Sequence, residues 1–348
     1  MNRTFRLWII ALVAALALGI AACGSDDDDD GGGGGSGGGE SSGESIKAGV
    51  VTDIGGLNDR SFNFLANKGL EDSADELGVE TRVLLSESNA DYIPNLTTLT
   101  QQQFDIIVPV GFRMGDATNT MATKVPDANF AIVDYPATIL EDKPKNVEGL
   151  LFAEQEAGYL AGYVAGLWAK DNNATTVSTV GGEKLPPVDH YIAGFQAGAK
   201  AANPKIKTLN AYSQSFTDQA KCKELALDQI AKGSKVVFQV AGGCGLGALD
   251  AAKEKGVQGI GVDADQGYLG EHILTSALKK VDVAVFNAIK RVQDGKFKGG
   301  TDVIHNVAND GVGVGELSTE GQKYADQVKE IQDQIASGEI KDIPDTVK

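Results

Sequence analysis

Apolar and polar positions follow two periods along this chain. Short, nearly unbroken apolar runs stand at 46–53, 80–85, 105–110 and 128–134. Runs of that length between polar turns predict strands, and the last two read as buried parallel strands. Between them the period is helical. Residues 61–77 predict an amphipathic helix, and 92–103 another, with Asn89 and Asp91 as possible caps. Residues 154–170, EQEAGYLAGYVAGLWAK, predict a long helix. Its closely spaced small residues suit tight packing on a sheet or a neighbouring helix. The second half repeats the order, with strands at 175–180, 206–211, 235–241 and 258–262. Its helices fall at 190–202, 218–232 and 245–255.

Two stretches, VVTDIGGLNDRSF and VSTVGGEKLPPVDHYIAGF, share one plan. Each runs strand, Gly-Gly, polar loop, helix. Repeated β-α units predict α/β architecture with two similar lobes, each a doubly wound parallel sheet. Ligands in such sheets sit beyond the carboxyl ends of the strands. Those ends are therefore where chemistry is to be sought.

The N-terminus adds a compartment. Residues 1–6 hold two arginines, 7–20 are almost wholly apolar, and Ile20-Ala21-Ala22-Cys23 follows. This order predicts a secretory signal over 1–22. The apolar–small–small–Cys ending resembles the bacterial lipobox, in which the cysteine receives lipid after cleavage. The run is shorter than the roughly 20 residues a spanning helix needs. Residues 23–45, rich in Asp, Gly and Ser, have almost no apolar surface to bury and predict a flexible tether. Beyond Cys23 stand Cys222 and Cys244. In an exported protein such a pair predicts a disulfide, with two free thiols as the alternative. The net charge of −17 argues against nucleic acid as a partner. The three histidines, His190, His272 and His305, show no metal-ligand spacing.

The strand ends are rich in acids, amides and aromatic rings. Asp53, Asn58, Asp59, Ser61, Phe62 and Asn63 follow the first strand; Asp134 follows another; Gly242, Gly243 and Asp263 follow two of the later ones. Carboxylates accept hydrogen bonds from hydroxyls, and phenyl rings offer flat faces. The pattern suits a neutral polyhydroxylated ligand. A phosphate does not fit, because GGLNDRS lacks a P-loop lysine and carries acids. Paired carboxylates are compatible with glycoside or nucleoside hydrolysis. No supporting catalytic constellation accompanies them. Each candidate also has a plainer reading. Asp53 and Asp59 suit capping a helix, Phe62 and Phe195 a core, Asp263 a turn, and Lys279 a solvated helix face.

Taken together, VTDIGGLNDRSFN, DYIPNL, FAIVD, FAEQEAGYLAGYVAG, VAGGCG, GIGVDADQ and LTSALKKVDVAV resemble the basic membrane protein family of PnrA-like nucleoside-binding lipoproteins. The resemblance covers about 46–315. It implies the type I periplasmic-binding-protein fold, two lobes with a hinge, and no enzymatic activity or cofactor. It implies a ligand site of Asp53, Asn58, Asp59, Ser61, Phe62, Asn63, Asp134, Phe195, Gly242, Gly243, Asp263 and Lys279. Phe62 and Phe195 would be opposite stacking faces for a base, and Asp263 would take ribose hydroxyls. The implied partners are a small-molecule ligand, a purine nucleoside first, and the subunits of an ABC permease. The implied location is the extracytoplasmic face of the cell membrane, held by lipid on Cys23, as a monomer. Crossovers near 153, 270 and 300 would divide the chain. One lobe would hold 46–153 with about 271–300, the other 154–270 with about 301–348. His190, Tyr191 and Tyr135 depart from the family pattern, so a sugar or a modified nucleoside stays open beside a common nucleoside, and a ligand-sensing lipoprotein stays open beside an importer subunit.

Overall fold

The computed structural model describes residues 45–347. The signal segment, Cys23 and all of the tether except its last residue lie outside the described residues. No described helix is long and apolar enough to cross a membrane.

The first sheet is built from β1 (Lys47–Val51), β2 (Glu80–Leu84), β3 (Ile106–Pro109), β4 (Asn129–Val133) and β5 (Val147–Phe152). Helices α1 (Phe62–Leu77), α2 (Tyr92–Gln101) and α3 (Gly115–Lys124) connect its early strands. The chain then enters α4 (Glu154–Asp171) and a second sheet. That sheet holds β6 (Thr176–Gly181), β7 (Lys207–Tyr212), β8 (Ser234–Val240), β9 (Gln258–Asp263) and β10 (Ile273–Lys279). Its helices are α5 (Pro186–Ala202), α6 (Gln219–Ala231) and α7 (Gly242–Glu254). Last come α8 (Val281–Gln293), β11 (Thr301–His305), β12 (Val312–Val314) and α9 (Ala325–Ala336).

The two sheets have the same plan. Their orders are β11-β5-β4-β3-β1-β2 and β12-β10-β9-β8-β6-β7. The five common strands are parallel in each, and β12 alone runs antiparallel to its neighbour β10. Strands such as β3 and β6 are buried along their whole length, as expected where helices cover both faces. The duplicated plan makes β4 the counterpart of β9. Their carboxyl ends therefore deliver Asp134 and Asp263 to matching places. Both residues have left-handed backbones, φ 67° and 61°, a conformation that costs a non-glycine residue energy and concentrates at functional sites.

Three segments pass between the sheets: β5 to α4, β10 to α8, and β11 to β12. The expected boundaries near 270 and 300 are corrected. Residues 273–279 complete the second sheet, and 301–305 form the edge of the first. Helix α8 packs on α1 of the first lobe. A Cβ on Gly69 would lie 2.3 Å from the carbonyl oxygen of Asp282.

Helices α4 and α5 meet through glycines. A Cβ on Gly158 would come within 2.2 Å of the Tyr191 carbonyl oxygen, and one on Gly194 within 2.1 Å of that of Gln155. No larger residue fits these contacts without moving backbone. The close approach fixes the position of α5 and, with it, Tyr191. Helix α5 begins at Pro186, four residues before the expected start, because proline's fixed φ suits a first helical turn.

Candidate functional site

Between the lobes lies a cavity with about 690 Å³ of atom-free space, part of it open to solvent. The first lobe contributes Asp53, Asp59, Phe62, Asn63, Arg113 and Asp134; the second contributes Val188, Tyr191, Phe216, Gly242, Asp263 and Lys279.

The polar groups are organised by one another. Asp59 accepts from the backbone N–H groups of Ser61 (3.0 Å), Asn63 (2.8 Å) and Phe64 (3.1 Å). It therefore caps α1 while its carboxylate lines the cavity. Asp53 accepts from Asn63 Nδ2 at 2.7 Å and from the Gly55 N–H at 3.0 Å. The Oδ1 of Asn63 is buried without a hydrogen-bond partner. Such an acceptor at a cavity wall calls for a donor from a ligand.

Lys279, at the end of β10, is 2% exposed. Its ammonium donates to Asp134 Oδ2 at 2.7 Å and Glu154 Oε1 at 2.9 Å. It also lies 5.0 Å from the ring centre of Phe62 and 4.8 Å from that of Phe152. Glu154 Oε2 is 3.0 Å from His190 Nδ1. Burial alone would lower the Lys279 pKa, but Asp134, Glu154 and Asp263 outweigh it and raise the value. Glu154 is likewise opposed by burial, yet Lys279 and His190 hold it below its ordinary range.

The remaining acids are pushed the other way. Burial drives Asp59 up to about 6 against its three backbone bonds. Burial drives Asp134 up to about 7, opposed by Lys279 and aided by Glu154 and Asp263. Burial also raises Asp53 and Asp263. The cavity is thus rich in acceptors, and its buried acids bear an energetic cost that donors on a ligand would relieve.

Several contacts join the lobes around the cavity, the Lys279–Asp134 pair among them. The Ser61 hydroxyl donates to Asp263 Oδ2 at 2.6 Å, and within the second lobe Tyr191 OH holds Asp263 Oδ1 at 3.1 Å. Gln266 Nε2 reaches the Arg60 carbonyl at 3.4 Å. Arg113 forms an ion pair with Glu183.

Of the residues expected in the site, Asp53, Asp59, Phe62, Asn63, Asp134, Gly242, Asp263 and Lys279 surround this cavity. Four do not. Phe195 is fully buried in the core, where its ring packs on Phe238 at 5.1 Å between centres. It lies one helical turn beyond Tyr191, where that face of α5 has left the cavity for the sheet. Phe216 and Tyr191 line the second-lobe wall instead. Asn58 is exposed and borders a separate surface hollow with Arg60, Phe64 and Leu246. Ser61 is a buried bridge between lobes. Gly243 lies where the lobes touch, and a Cβ there would be 3.7 Å from Asp59 Cα. Gly242 is glycine for conformation rather than space, since its φ is 52° and a Cβ there would meet Phe216 only at ordinary contact distances.

Tyr191 lies inside α5, well past the end of β6, whereas Arg113 and Phe216 stand close behind β3 and β7 in the sequence, which was the available signal. Glu154 carried a weaker one, as the second residue after β5. Cys222 and Cys244 form a disulfide. Cys244 N–H also donates to the Phe216 carbonyl at 2.9 Å, so the bridge braces the loop behind that ring.

Comparison with known proteins places this geometry. The ABC transporter nucleoside-binding protein BmpA of Lactococcus lactis is 36% identical over 317 residues, 85% of this chain and 88% of that one. An uncharacterized lipoprotein of Pyrococcus horikoshii is 35% identical over 319 residues, 88% of this chain and 76% of that one. Among solved structures, an ABC transporter solute-binding protein from Aeropyrum pernix superposes with a TM-score of 0.77 at 27% identity, covering 86% of this chain and 94% of its own. The family model of PnrA-like ABC transporter substrate-binding proteins, Bmp, matches residues 46–346. With its two like sheets, its interlobe cavity and that match, the chain belongs to the PnrA-like family of ABC transporter substrate-binding proteins.

Proposed function

We propose that this protein captures a purine nucleoside between its lobes and hands it to a membrane permease, while lipid on Cys23 holds it at the outer face of the membrane. One observation carries the reading. The cavity sets the ring of Phe62 beside a group of buried acceptors, Asp53, Asp59, Asn63 Oδ1, Asp134 and Asp263. A nucleoside offers the complement: a flat base and several N–H and O–H donors without a phosphate. Phosphorylated nucleosides would meet repulsion from the same carboxylates. The nucleoside-binding name of the Lactococcus relative supports the ligand class, and the lipoprotein name of the Pyrococcus relative supports the anchor.

Titration calorimetry with inosine, inosine monophosphate and ribose tests the ligand. Binding of inosine alone supports the reading, and tighter binding of the monophosphate contradicts it. Mass spectrometry of the mature N-terminus tests the anchor; a free Cys23 thiol contradicts it.

A further inference from the structure

Among the contacts that join the lobes around the cavity, which include the buried Lys279–Asp134 ion pair, two differ in kind. The bond between Ser61 and Asp263 is buried on both sides. The ion pair of Arg113, on the loop after β3, with Glu183, on the loop after β6, keeps its side chains 26% and 17% exposed. Arg113 itself lines the cavity, as does Leu185, two residues beyond Glu183. Partners on different lobes meet only while the lobes are together. Separating the buried bond first would strand a carboxylate and a hydroxyl in a dry seam. An ion pair that keeps partial contact with solvent can exchange its partner for water at lower cost.

We propose that Arg113 and Glu183 form the gate by which ligand leaves, and that their ion pair sets the release rate. Opening begins at this pair, and the buried bond follows. Because the pair is in contact with solvent, salt weakens it, whereas the Ser61–Asp263 bond is screened far less. The proposal rests on solute capture in this cavity and not on which solute is captured.

The test compares the native protein with Arg113→Glu and with the exchange Arg113→Glu/Glu183→Arg. The first sets two acids face to face; the second restores a pair of opposite sign. Two readouts are used: release of labelled inosine into excess unlabelled inosine, and the radius of gyration of the ligand-free protein by small-angle scattering. We expect Arg113→Glu to release inosine about fivefold faster or more, the effect of losing roughly one strong surface pair. The exchange should return the rate to within about twofold of native. Raising salt should speed release from the native protein and slow it from Arg113→Glu, because salt screens the repulsion between its two facing acids. Scattering should show Arg113→Glu more open than either of the others. A release rate for Arg113→Glu equal to native, or an exchange variant as fast as Arg113→Glu, would overturn the gate. Should inosine fail to bind, scattering decides alone. An opened Arg113→Glu restored by the exchange upholds the gate while the nucleoside reading falls, and equal radii overturn the gate.

Discussion

Ser61 and Asp263 stand 202 residues apart in sequence and share a 2.6 Å hydrogen bond between the lobes. Asp263 is also held by Tyr191 from its own lobe. An acid of the cavity wall therefore also ties the two lobes together. Ser61→Ala removes this tie and leaves Asp263 attached to its own lobe. Losing a buried bond to a charged acceptor costs about 1.5–3 kcal/mol. Titration calorimetry should show ligand affinity falling by about tenfold or more. Retained affinity would place closure elsewhere.

Lys279 answers to Asp134 and Glu154 at once. Lys279→Met would bury both acids without their cation. Breaking a buried pair on one side costs about 3–5 kcal/mol, measurable by denaturant unfolding at neutral pH. The loss should shrink at pH 5, where the orphaned acids can take up protons. An equal loss at both pH values would mean that the cation acts through packing alone.

Asp59 predicts a pH slope. Its carboxyl is raised from 3.8 to about 6 by burial. The folded state thus holds a proton that the unfolded state releases earlier. Its contribution to stability is greatest below pH 4 and is lost as pH rises through about 6, amounting to about 3 kcal/mol. Asp59→Asn should flatten unfolding free energy between pH 4 and pH 7 relative to the native protein. An unchanged slope would refute the assignment.

Phe62 and Phe195 separate binding from folding. Phe195→Ala opens the core beside Phe238 and should cost about 3–5 kcal/mol of stability. Phe62→Ala, at the partly exposed cavity wall, should cost far less stability and abolish most ligand affinity. Paired thermal melts and titrations check both. The opposite pattern would exchange the two roles.

Much of this was legible in the sequence because burial leaves a pattern. The apolar runs ending in Asp53, Asp134 and Asp263 announced strands, and the acids beyond them announced the site. Helix α3, GDATNTMATK, has little apolar periodicity and gave no signal. Strand β5, VEGLLF, was also unread, although its end carries the first crossover. Phe195 and Tyr191 share one helical face, and periodicity says nothing of the depth at which that face leaves the cavity. The pairing of Arg113 with Glu183 depends on how two loops from different lobes meet, which no local pattern encodes. The sheet membership of 273–279 and 301–305 was hidden for a similar reason. The crossovers that assign them are set by packing of α8 on the first lobe.

The most direct test of the central claim is thermal unfolding of the protein across purine nucleosides, pyrimidine nucleosides and pentoses. A ligand that binds the folded form at about a hundred times its Kd adds about 2.7 kcal/mol of stability. The account predicts a clear rise in Tm with inosine or guanosine and none with ribose. No rise with any nucleoside, or a rise with a pentose alone, would contradict it.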